Sequence, residues 1–148
     1  MFKYYIVQYN NGAIFVEDKL KKELYKELTH DDDAEFAKLV PKVKQIVKIK
    51  IDGTPVIVCD PNKLSQQDLI VAYLTGKFFA KIIGSSPKDS AQLKEISQAL
   101  RLGSNLISAR LVTLKNNMQV EQVSKGEYKI STAPLEKMLD QIIKKIGV

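Results

Sequence analysis

The chain has 148 residues, 45% of them apolar, which suits one or two small domains with a sizeable core. It has no apolar run of the roughly 18 residues that a bilayer span requires, and its one cysteine, Cys59, excludes an internal disulfide. The net charge of +6 is uneven: residues 66–148 carry ten lysines, two arginines and seven acids, a surplus of five, whereas residues 1–65 have a surplus of one. A basic excess of this kind favours polyanions such as DNA or an acidic membrane surface, although a solvated lysine surface would give the same count. Met1-Phe2-Lys3-Tyr4-Tyr5 lacks the charged and then apolar pattern of a secretory signal, so the expected location is cytoplasmic, with no membrane partner.

Residues 2–16 predict a β-hairpin: an aromatic and β-branched strand from Phe2 to Tyr9, an Asn10-Asn11-Gly12 turn, and a return through Ala13–Val16. Residues 18–28 predict a helix with Leu20, Leu24 and Leu28 on one face. Asp31-Asp32-Asp33 caps a short second helix containing Phe36, Leu39 and Val40, which Pro41 ends or kinks. Val47, Ile49 and Ile51 then alternate with Lys48 and Lys50, Asp52-Gly53 turns the chain, and Val56–Cys59 returns it. Residues 1–62 are thus expected to form a small ββααββ module of the α+β class.

Residues 63–148 are expected to form a second domain. A strongly apolar helix covers 66–83, closed by Gly84-Ser85-Ser86-Pro87. Ser90 is positioned to cap a helix from about Ala91 to Leu100, and Gly103-Ser104 separates it from a third helix, Ser104–Asn117. Two short strands, Gln119–Val123 and Glu127–Ser131, flank the turn Ser124-Lys125-Gly126. After Pro134 a last helix repeats Leu135, Met138, Leu139, Ile142, Ile143 and Ile146, an amphipathic stripe.

Helix, helix, turn, helix and hairpin, in that order, resembles the winged helix-turn-helix transcription regulators of archaea and bacteria. The residues that carry the resemblance are Glu95-Ile96-Ser97-Gln98-Ala99-Leu100-Arg101-Leu102, then Ile107-Ser108-Ala109-Arg110-Leu111-Val112-Thr113-Leu114, then Val120. The match runs without a gap from Leu93 to Tyr128, about a quarter of the chain. Arg101 stands where the family often has glycine, and Met118-Gln119 where a glycine-apolar pair usually closes the third helix. A left-handed Arg101 would cost about 1 kcal/mol, which points to a reshaped turn. Residues 1–60 match no subfamily.

The resemblance implies binding to double-stranded DNA, with the third helix in the major groove and the hairpin as a wing. At 3.6 residues per turn the outward positions of that helix are Asn105, Ala109, Val112, Thr113 and Asn116, with Ser108 and Arg110 on the flanks and Ser104 at its start. Lys94, Lys115, Lys125 and Lys129 are the candidates for phosphate contact. The face is mostly neutral, which also suits a winged helix that binds another protein in a nucleic-acid-processing assembly. A third reading makes residues 1–60 a small-molecule sensor with DNA binding as its output. The amphipathic last helix either packs on its own domain or pairs two copies, and a homodimer is favoured because dimers read two half-sites. Twenty-one lysines against two arginines, with abundant isoleucine, fit an AT-rich archaeal genome.

No catalytic residue, metal site or cofactor is expected. His30-Asp31-Asp32-Asp33 is read as a helix charge cap in preference to a hard-cation site. Cys59 has no base in prospect but His30, and is read as an inert thiol. There is no glycine-rich phosphate loop, zinc spacing or Gly-x-Ser-x-Gly motif.

Overall fold

A computed structural model of the chain describes residues 7–10, 13–16, 18–28 and 32–147. The chain is of mixed α+β class and divides into two compact units, residues 1–35 and residues 36–148. In the first unit, β1 (Val7–Asn10) pairs antiparallel with β2 (Ala13–Val16), from Val7 opposite Val16 to Asn10 opposite Ala13. The Asn11-Gly12 turn and the expected start of the strand at Phe2 lie outside the described residues. Helix α1 (Asp18–Leu28) follows; it has no buried residue, and Leu28 is 77% exposed. Helix α2 covers Asp32–Ala37, while the side chains of the expected acidic cap and of His30 also lie outside the described residues.

The second unit begins at Phe36, whose ring meets Phe78 edge-on with centroids 4.8 Å apart. Pro41 opens a short helix α3 (Val40–Val43) instead of ending one. Its missing N–H is harmless in a first helical turn, where no intrahelical partner exists. Strand β3 (Val47–Ile49) pairs antiparallel with β4 (Pro55–Ile57). Ile51 lies beyond the strand, in the turn, and is fully exposed. Asp52 accepts the Thr54 N–H at 3.0 Å there, and that bond holds its carboxyl below the usual carboxylate range. Cys59, half-buried, follows β4, and burial pushes its thiol up.

This second hairpin, grouped with the first by sequence, packs in the second unit against helix α4 (Gln66–Ile82). The contact is close because residue 76 is glycine: a Cβ there would lie 2.6 Å from Pro55 Cβ and 3.0 Å from Val47 Cγ2. Asp60 caps the 3-10 turn Pro61–Lys63 that leads to α4. Ser65 and Asp68 then cap α4 reciprocally, each side chain accepting the other's backbone N–H at 3.0–3.1 Å. Buried residues surround the axis of α4, from Ile70 and Val71 through Leu74 to Ala80, so it is the central element of the core.

Strand β5 (Ser90–Gln92), helix α5 (Leu93–Leu100), helix α6 (Ser104–Asn116), strands β6 (Val120–Ser124) and β7 (Glu127–Ile130), and helix α7 (Leu135–Ile146) complete the unit. The sheet order is β5-β7-β6, antiparallel throughout. Ser90 is therefore a strand residue, paired with Lys129, and does not cap α5; the carbonyl of Gly126 accepts the Leu93 N–H at 2.8 Å instead. Leu135, Met138, Leu139, Ile142 and Ile146 of α7 are all buried within the unit. Lys145 on α7 meets Asp68 at 2.6 Å, and Lys42 on α3 meets Asp140 at 2.8 Å, so both flanks of α7 are tied down. Its stripe is thus packed inside the chain. Among the described residues no helix is long and apolar enough to cross a membrane.

Candidate nucleic-acid interface

Helix α6 owes its two faces to spacing. Ile107, Leu111 and Leu114 recur at i, i+4 and i+7 and are 0–1% exposed, so that face is fixed in the core. The opposite positions, Asn105, Ala109, Val112, Thr113 and Asn116, are all exposed, with Ser108 half-buried at their flank. No acidic residue occurs anywhere on α6. The hydroxyl of Thr113 donates back to the Ala109 carbonyl at 3.3 Å.

The entry to α6 is a tight turn. Arg101 closes α5 in the left-handed region, with φ +56°, and the Leu102 N–H reaches the Ser97 carbonyl at 3.2 Å. The turn thus keeps the left-handed geometry, not the reshaped form expected for a non-glycine residue. The Ser97 hydroxyl donates to the Leu102 carbonyl, and Leu102 packs against the core. These bonds offset part of the backbone cost at Arg101. Ser104 follows the cap residue Gly103 as the first helical residue, and its hydroxyl lies 3.4 Å from that of Ser97. At the other end Met118 is also left-handed, with φ +60°, in the position the resemblance assigns to glycine.

The basic candidates divide by location. Lys125 is exposed at the tip of the β6–β7 hairpin, beside Gly126, whose φ of +72° completes the turn. Lys115 joins α6 to β6, its Nζ donating to Gln122 Oε1 at 2.8 Å. Lys94 is exposed in the first turn of α5. Lys129 lies between the core-facing Tyr128 and Ile130, so it takes the outer face of the sheet, 3.9 Å from Glu121. Arg110 does not stand with the outward group: its Nε donates to Gln66 Oε1 at 3.1 Å, which draws it toward the start of α4. Val123 falls in a register shift of the hairpin and is 45% exposed.

A polar linkage joins α4 to α5. Tyr73 on α4 is 3% exposed, and its hydroxyl donates to Glu95 Oε2 on α5 at 2.6 Å. Lys77, one turn further along α4, meets the same oxygen at 3.4 Å. Burial first, and then the Glu95 carboxylate, push the Tyr73 phenol far above its ordinary range. Glu95 thus joins the first turn of α5 to two donors on α4. The available signal was that two donors spaced i, i+4 on α4 would need an acceptor.

Comparison of the chain with family models, with curated proteins and with solved structures finds no match.

Proposed function

We propose that residues 66–131 work as a winged helix-turn-helix that binds duplex DNA, with α6 in the major groove and the β6–β7 hairpin as the wing, and that the protein regulates transcription without catalysis. The observation that carries this reading is the division of α6. One face is locked in the core, and the other is exposed, polar or small, and free of acids over the whole helix. An α-helix presented in this way fits the width of the major groove. Lys125 at the hairpin tip and Lys94 on α5 supply exposed cations for phosphates on either side.

The test is binding of the whole chain to a labelled random-sequence duplex at two salt concentrations. The expected result is binding that weakens steeply as salt rises, because counterions are released from neutralised phosphates. Absence of binding at low salt would overturn the proposal.

A second reading, docking to another protein, draws on Val112 and Val123, which are 50% and 45% exposed. It predicts a partner whose binding to the α6 face changes little with salt.

A further inference from the structure

The outward face of α6 is short of the groups that read guanine and supplied with those that meet adenine and thymine. Guanine presents two acceptors in the major groove, best matched by a bidentate arginine or by lysine. The chain has two arginines, and neither stands on this face. Arg110 is bonded to Gln66 at 3.1 Å. Arg101 lines a cleft of about 460 Å³ with Lys50, Pro55 and Leu69, on the side of α4 and β4. Lys115 is engaged with Gln122 at 2.8 Å.

What remains between residues 105 and 116 is neutral. Asn105, Ala109, Val112 and Asn116 follow one another at intervals of four, three and four residues, so they form a single stripe about 16 Å long. Asparagine has the paired donor and acceptor that match adenine N7 and N6. Ala109 and Val112 offer methyl groups to the C5-methyl of thymine. Thr113 offers the same, because its hydroxyl is occupied by the Ala109 carbonyl.

We infer that this face reads A·T-rich duplex DNA in the major groove, the two asparagines meeting adenines and the methyl-bearing side chains between them packing on thymine methyls. The inference rests on α6 being the groove-reading helix proposed above.

The experiment uses the whole chain and three labelled duplexes of equal length: one of mixed A·T sequence, one of G·C pairs, and the A·T duplex with uracil in place of thymine. Uracil removes only the methyl group from the major groove. The expected result is binding to the A·T duplex roughly tenfold tighter or more than to the G·C duplex, with a severalfold loss on uracil substitution. In Val112→Ala, at a half-exposed position where folding is little affected, the uracil penalty should shrink. Equal affinity for all three duplexes would overturn the inference and leave DNA binding standing. A preference for A·T pairs without any uracil penalty would also overturn it, since groove shape would then be the feature read. No binding to any duplex at low salt would overturn the proposed function itself.

Discussion

The phenol of Tyr73 and the carboxylate of Glu95 meet at 2.6 Å across the junction of α4 and α5, and Lys77 approaches the same oxygen at 3.4 Å. Glu95 is 39% exposed at its side chain and Lys77 only 14%, so the link is anchored from the buried side of α4. It sets how α5 lies on α4, and α5 in turn leads directly into the turn before α6.

Tyr73→Phe keeps the ring and removes the bond. The expected cost is about 1–2 kcal/mol, toward the lower end for a bond to a charged group because Glu95 stays partly hydrated. The effect also depends on pH. The folded-state pKa of Tyr73 is raised above its ordinary 10.0, so its stabilisation is complete below pH 10 and is lost as pH climbs past that value. Thermal melts from pH 8 to 11 should show a fall for the native chain and a shallower one for the variant. Parallel curves would contradict the linkage.

Gly76→Ala is expected to destabilise the fold although alanine is the better helix former by about 1 kcal/mol. The new Cβ would lie 2.6 Å from the Pro55 ring, which cannot rotate away. Overpacking of this kind costs about 1–3 kcal/mol. Denaturant midpoints decide the sign, and a stabilised variant would mean that β4 does not pack this closely on α4.

Met118→Gly is expected to do the opposite. Met118 is 79% exposed, so little packing is lost, and its φ of +60° is one that glycine adopts freely. Relief of the left-handed backbone should raise stability by up to about 1 kcal/mol, less the greater chain entropy of glycine in the unfolded state. A rise in Tm with unchanged DNA binding is the expected outcome.

Lys125→Ala should weaken DNA binding evenly across sequences and reduce the slope of log affinity against log salt by about 0.9, the loss of one phosphate contact. Lys137→Ala, on the exposed side of α7, should leave both unchanged. Equal effects of the two would show that the cations act only through net charge.

Local signals were readable where they were long and periodic. Helices α4, α6 and α7 appear within a residue or two of their expected bounds because a stripe over three or more turns leaves few alternatives. Strand β5 was not readable: three residues cannot show alternation, and Ser90 looked like a helix cap. The ends of β3 misled in the other direction, since Ile51 continues the alternation but belongs to the turn.

By itself, the sequence of this protein determined which faces of α6 and α7 turn inward, and therefore which residues of α6 face outward. Periodicity is a property of neighbouring residues, and burial of apolar area enforces it. Only the tertiary structure decided what those faces meet. It placed β3 and β4 on α4 through Gly76, used the α7 stripe within the chain, and drew Arg110 toward Gln66 and away from the outward group. It also gave Glu95 its two donors from α4. Each of these joins residues at least 18 positions apart, and pairings of that kind depend on the packing of whole elements, which no local pattern encodes.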